Sequence, residues 1–366
     1  MKNGLSHTAV ARLSCALREI CPEFDSERFC TEALDGLEAL ELKERVAHLI
    51  RTLHVHLPVE FDAAADVLSR VPVCWDAGEV GDSLAGFAAW PLIDYVGVYG
   101  VDRPQIALPL LRTLTPLFSA EFAIRPFIEQ HTKLTLAHLE DWCRDPDPHV
   151  RRLVSEGTRP RLPWASRLRV FDQNPEPILA LLEKLKDDPS DYVRRSVANH
   201  LNDLSKEDPE RVLELCRRWI TPSTKERAWI VRHATRTLVK AGCPEVFPLL
   251  GYTEHPQVRI QHLRVTPSKI RLGESVEFAF EIQSTSNDPQ TFVVDYAMHL
   301  MKKNGERRPK VFKLKSINLA PQETRSIRKQ HLFKEITTRA YYSGEQVIEV
   351  LINGVPVAEQ SFRLEV

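Results

Sequence analysis

The sequence predicts two architectures in one chain: an α-helical solenoid over residues 1–264 and an all-β, immunoglobulin-like sandwich over residues 265–366. Three observations carry this expectation. The hydrophobic period switches from helical to alternating near residue 264, a Val-Arg dipeptide recurs through the first part, and positive charge gathers in the second. A chain of 366 residues is long enough to build two hydrophobic cores.

The first part is rich in Leu, Ala, Arg and Glu. Near its start, SERFCTEALDGLEALELKERVAHLIRTLHVHL reads as amphipathic helices, though less regular than the helices nearer residue 150. The aromatic, glycine-containing stretch 75–100 is assigned to packing between these first helices. Further on, Val-Arg at 150–151 recurs at 193–194, 231–232 and 258–259, with Ile124-Arg125 as a degenerate copy. Three copies are entered through proline turns, Asp147-Pro148, Asp188-Pro189 and His255-Pro256. Proline breaks the preceding turn, Val enters the core, and Arg leaves from the exposed side of the next helix. Spacings of 43 and 38 residues between Val150, Val193 and Val231 fit HEAT-like helix pairs, each of which needs a neighbour to bury its apolar face. The intervals of 26 and 27 residues that flank them fit the period less well.

The second part alternates with period two in SVEFAFEI (275–282), TFVVDYAMHLMKK (291–303), TRSIRKQHLFK (324–334) and EQVIEVLING (345–354). Asn304-Gly305 and Asn353-Gly354 supply hairpin turns. About seven short strands in roughly 100 residues suit a sandwich, although the Cys–Trp–Cys core signature is missing.

Net charge is −1 over the chain, −4 over residues 1–264 and +3 over 265–366. Within 300–340 it reaches +9, as the footprint of a polyanion requires. Seven dispersed cysteines without CxxC spacing argue against a disulfide framework and a structural zinc site. No apolar run is long enough to span a bilayer, and the N-terminus lacks an export signal. The expectation is a cytoplasmic protein, nucleoid-associated when bound to DNA, and a monomer without cofactor or metal. No P-loop, GxGxxG after a strand, HExxH or GxSxG is present, and His54 with His56 is too little for a metal site.

Candidate chemistry lies in three residue sets. Arg151, Arg152, Arg194, Arg195 and Arg232 recur at matched positions, which suits a track of phosphates but equally suits ion pairs with the turn acids. Glu121, Glu156 and Asp203 are acids beside that track. Each alone reads as a structural ion pair, such as Arg152 with Glu156 four residues on. Together they would stabilise a cationic sugar or orient water. Trp164, in the proline-rich segment RPRLPWASR, could face a cation, whereas Trp219 and Trp229 read as core.

The segments SAEFAIRPFIEQH (119–131), DPDPHVRRLVSEGTRPRLPWA (145–165) and DYVRRSVANHLNDLSKEDPE (191–210) resemble the AlkC branch of the AlkC/AlkD DNA alkylation repair family. KNGERRPKVFKLKSINLAPQE (303–323) and the following TTRAYYSGEQVIEVLING resemble its Ig-like domain. The resemblance implies a glycosylase that hydrolyses the N-glycosidic bond of cationic alkylated bases, chiefly 3-methyladenine, in duplex DNA without deep base flipping. It also implies that Glu121, Glu156, Trp164 and Asp203 form the active site, contacting the lesion's deoxyribose and the attacking water. Arg151, Arg152, Arg159, Arg161, Arg194, Arg195 and Arg232 are expected to hold DNA, joined by Lys302, Lys303, Arg307, Arg308, Lys310 and Arg339 of the sandwich. Lys313 and Lys315 extend the same basic run, for which a merely solvated face is the competing reading. A non-catalytic HEAT-repeat scaffold and an inert DNA-damage-binding protein are the alternatives to the enzyme.

Overall fold

The computed structural model describes residues 2–78, 82, 84–222, 224–336 and 339–366. Among them the helices are α1 (His7–Ile20), α2 (Ser26–Leu34), α3 (Leu42–His56), α4 (Phe61–Cys74), α5 (Trp90–Tyr99), α6 (Pro104–Leu114), α7 (Arg125–Gln130) and α8 (Thr132–Trp142). They continue as α9 (Pro148–Gly157), α10 (Glu176–Leu185), α11 (Asp191–Leu204), α12 (Pro209–Trp219), α13 (Lys225–Ala234), α14 (Arg236–Ala241) and α15 (Val246–Leu249). The strands are β1 (Val258–Thr266), β2 (Lys269–Arg271), β3 (Ser275–Ser284), β4 (Gln290–Met301), β5 (Arg307–Leu319), β6 (Thr324–Leu332), β7 (Gly344–Ile352) and β8 (Val355–Glu365). Two compact units result, one ending at Asp203 and the other running Leu204–Val366.

In the first unit, helices pack in the manner of HEAT-like pairs, with α3 on α5, α4 on α6, and α9 against both α8 and α10. Of the stretch 75–100, residues 79–81 and 83 lie outside the described residues, and 90–99 forms α5. The entry to α9 shows how the repeat is written. Pro148 occupies the first turn, where its missing N–H costs nothing, and the Asp147 carboxylate accepts from the His149 amide at 2.7 Å. Val150, Leu153 and Val154 then go inward, as do Val193, Val197 and Leu201 of α11. The arginines after those valines brace the turns. Arg151 grips Asp188 through Nε at 2.6 Å and Nη2 at 3.0 Å and also donates to the carbonyls of Asp145 and Pro146. Arg194 donates to the carbonyls of Asp188 and Pro189.

One copy of the dipeptide is not part of a helical repeat. Val258-Arg259 opens β1, where Val258 faces Ser284 and Arg259 faces Gln283 across an antiparallel ladder. The run VRIQHLRVT has β-branched residues in near alternation, so strand pairing wins over the helical reading. The sandwich therefore begins before residue 265, the boundary expected from composition, which falls inside β1.

The second unit holds α12–α15 together with two sheets, ordered β1-β3-β6 and β2-β8-β7-β4-β5. All neighbours are antiparallel except β2 and β8. Phe278, Phe280 and Ile282 of one sheet bury against a core that includes Phe292, Tyr296 and Phe362 of the other. The helices join through a smaller cluster of Leu213, Leu238, Val246, Phe247 and Val293. There Gly242, which ends α14 with φ +71°, meets Gly354 in the β7–β8 turn, with φ +75°. A Cβ on Gly354 would lie 2.1 Å from the Gly242 Cα, so both positions require glycine. Strand β5 forms an edge of the larger sheet and carries most of the basic run.

Candidate active site

Two helix ends and one loop, all within the first unit, assemble the acids. Arg152 and Glu156 share a face of α9 at i and i+4; Ser196 and Asp203 lie two turns apart on one face of α11. Glu121 comes from the segment before α7, and Arg159 from the loop after α9.

These residues form a continuous chain of ion pairs. Arg152 Nη1 donates to Glu121 Oε2 at 2.5 Å and to Ser119 Oγ at 2.7 Å, and its Nη2 lies 3.4 Å from Glu156 Oε1. Arg159 Nη1 donates to the same Glu156 oxygen at 2.5 Å, while its Nε reaches Asp203 Oδ2 at 2.9 Å. The Ser196 hydroxyl donates to the other Glu156 oxygen at 2.6 Å. Glu156 and Asp203 are only 5% and 3% exposed, a depth at which carboxylates persist only when paired. Burial works against the Arg159 charge, but Glu156 and Asp203 outweigh it and raise its pKa above the usual guanidinium value. Arg152 is raised likewise by Glu121 and Glu156 against its own desolvation. Glu121, Glu156 and Asp203 are thus bridged in sequence by the Arg152 and Arg159 guanidiniums. Among the described residues, the second oxygen of Glu121 has no hydrogen-bond partner.

His200 lies beneath the cluster, fully buried, with Nδ1 3.0 Å from the Ser155 carbonyl. Burial pushes its pKa down to about 3, and Arg159 adds to the effect, so the ring is neutral and adds no competing positive charge.

Trp164 stands apart from the ion-pair chain. It is 46% exposed and adopts φ 67°, a left-handed conformation that costs a bulky residue roughly 1–3 kcal/mol. The loop holds it there. Lys43 donates to the Trp164 carbonyl, and the buried Arg125 ties down the carbonyls of Gly157, Arg159 and Ser166 at 3.2, 2.9 and 2.6 Å. The Trp164 ring lies nearly parallel to buried Trp90, 6.3 Å between centroids.

The other expected DNA contacts fall into two groups. Arg151 and Arg194 are committed to turns, and Arg232 donates to the Tyr252 hydroxyl at 2.9 Å. Arg161 is exposed, and Arg195 is exposed with Asp191 at 2.6 Å. On the sandwich, Lys303, Arg308 and Lys310 are exposed, and Lys302 is half-buried. Arg307 pairs with Glu345, Lys310 sits 5.2 Å over the Phe312 ring, and Arg339 sits 5.7 Å over Tyr341. Sequence reasoning missed Arg125 and Ser196 as supports of the site. The degenerate Ile124-Arg125 copy was the available signal for the first, and none marked the second.

Fold and site together define a helical-repeat protein with an embedded acid–arginine network and an appended sandwich. A family model described as "DNA alkylation repair enzyme" matches residues 118–238, which include all four candidate site residues. A second, "Uncharacterised protein YhaZ, C-terminal Ig-like domain", matches residues 259–366. The chain is 34% identical to the uncharacterised protein YhaZ of Bacillus subtilis (strain 168), over 97% of this chain and 96% of that one. Its structure is similar to that of the Pseudomonas fluorescens alkylpurine DNA glycosylase AlkC bound to DNA containing an abasic site analogue. That similarity has a TM-score of 0.93 at 37% identity, covering 100% of this chain and 99% of the other. The chain belongs to the AlkC branch of the DNA alkylation repair family and carries its C-terminal Ig-like domain.

Proposed function

We propose that this chain is a DNA glycosylase that hydrolyses the N-glycosidic bond of cationic alkylated bases, chiefly 3-methyladenine, in duplex DNA. The observation that carries this reading is the ion-paired chain Glu121–Arg152–Glu156–Arg159–Asp203, with Glu156, Arg159 and Asp203 buried, in a unit that also presents an exposed, conformationally fixed Trp164. Alkylation makes the base a good leaving group, so little general-acid help is needed. The demand falls on the deoxyribose, which gains oxocarbenium character as the bond breaks. Carboxylates held by guanidiniums stabilise that charge without reorganising, because the pairing fixes them beforehand. The unpaired oxygen of Glu121 is the group best placed to take a water or a sugar contact. Phosphate contacts fall to solvent-exposed cations, Arg161 and Arg195 in the first unit and Lys303, Arg308 and Lys310 in the second.

The test compares duplexes carrying 3-methyladenine with duplexes carrying hypoxanthine, a neutral lesion. Free base should be released from the first well above the spontaneous rate and from the second at no more than background. Equal release from both would refute the electrostatic argument. Binding of both duplexes without release from either would leave a damage-binding protein.

A further inference from the structure

Tyr192 opens the face of α11 that carries Ser196 and Asp203, one turn ahead of Ser196. Its ring meets the face of α9 that carries His149, Arg152 and Glu156. The Arg152 guanidinium carbon lies 5.0 Å from the ring centroid, and His149 meets the ring nearly edge-on, 5.4 Å between centroids. Away from these contacts the side chain is open, leaving Tyr192 42% exposed beside the ion-pair chain. Arg152 has spent its donors in the guanidinium plane, Nη1 on Glu121 and Ser119 and Nη2 toward Glu156. What remains is its flat, weakly hydrated face, which an aromatic ring is suited to cover. The bond to Glu121 is a single hydrogen bond to one oxygen, not a two-pronged fork, so it alone leaves the guanidinium free to pivot. A ring against the face removes that freedom. Burial raises the Tyr192 phenol above its usual pKa against the pull of Arg152, with Glu121 and Glu156 adding to the rise. The phenol is therefore neutral and does not compete with the carboxylates for the guanidinium.

We propose that Tyr192 is a positioning residue of the glycosylase site, whose ring holds the Arg152 guanidinium on Glu121 so that this carboxylate presents its unpaired oxygen in one orientation. The inference rests on the glycosylase reading and adds to it a side chain beyond the acids and Trp164. The need for such a clamp is electrostatic. Duplex DNA brings phosphates to the cluster, and a phosphate oxygen competes with Glu121 for the same guanidinium donors. An Arg152 drawn to a phosphate would leave Glu121 without its partner, and stabilising the sugar would then require reorganisation. Tyr192 covers one face of the guanidinium, keeps its plane on the carboxylate, and adds no charge of its own.

Single-turnover release of 3-methyladenine from duplex DNA, with duplex affinity alongside, compares Tyr192→Phe and Tyr192→Leu with the parent. Phenylalanine keeps the ring and should release base within about twofold of the parent rate. Leucine removes the ring and should slow release roughly 2- to 30-fold, with affinity changed by less than about twofold. Tyr192→Met replaces the leucine variant should that one fold poorly. Nitrogen-15 NMR of the full chain without DNA reads the same contact independently of activity, with the Arg152 signal assigned by its loss in Arg152→Lys. Rotation about the Arg152 Nε–Cζ bond should be hindered in the parent and in Tyr192→Phe, and roughly 2- to 30-fold faster in Tyr192→Leu. A leucine variant that matches the parent in release or in guanidinium rotation would overturn the proposal. So would a loss confined to affinity, or a phenylalanine variant as slow as leucine. No release by the parent would instead sink the glycosylase reading, and the rotation rates would still decide whether the ring holds Arg152.

Discussion

Replacing Arg159 with Met removes the guanidinium that joins Glu156 to Asp203 and leaves the volume nearly filled. Both carboxylates are almost fully buried, and both receive charge-assisted hydrogen bonds from this one side chain. Removing one partner of a buried pair strands the other charge, at a cost of about 3–5 kcal/mol. For a unit of this length each kcal/mol moves the melting temperature by roughly 2–4 °C, so the drop should be roughly 6–20 °C. Thermal unfolding followed by circular dichroism measures it. Adding Glu156→Gln to the same chain should recover part of the loss, because one stranded charge is then gone. A melting temperature within about 2 °C of the parent would refute the claim that this arginine compensates buried charge.

Other outcomes rest on the same geometry. His200 is neutral in the folded unit with a pKa of about 3 against 6.5 when unfolded, so its share of stability is whole above pH 6.5 and declines as pH falls toward 3. At pH 5 the loss should be about 2 kcal/mol, and His200→Gln should show a correspondingly smaller drop in melting temperature between pH 7 and pH 5 than the parent. Trp164→Ala should slow base release by roughly 2- to 30-fold, the range of a cation–π contact worth about 0.5–2 kcal/mol, with the fold retained because the ring is half exposed. Arg308→Glu with Lys310→Glu should weaken duplex binding and lower the slope of log affinity against log salt by about 2, whereas an unchanged slope would make the β5 edge a merely solvated face.

The legible parts of the sequence are those written in local patterns. Val150, Val193 and Val231 obey the repeat and are all buried, and four alternating segments coincide with β3, β4, β6 and β7. Strand β5 hid behind its charges, because an exposed edge needs few apolar residues to pair. Val258-Arg259 imitates the helical dipeptide, yet its neighbours alternate, and the wider window decides. The acids themselves were recognisable by family motif, but their pairing was not. Arg159 reaches Asp203 over 44 residues and Arg152 reaches Glu121 over 31, and no spacing rule encodes such contacts. Asp94 is the least legible group. A single acid in the apolar helix WPLIDYVGVY reads as packing, and nothing in the sequence marks that one of its carboxylate oxygens is buried without a partner.

The most direct measurement is single-turnover release of 3-methyladenine from duplex DNA by the parent and by Glu156→Gln, with duplex affinity measured alongside. The account expects release by the parent well above spontaneous depurination, and a fall of about 100-fold or more in the variant at nearly unchanged affinity. A parent that binds the duplex but releases base no faster than the spontaneous rate would contradict it, and so would a Glu156→Gln variant as active as the parent.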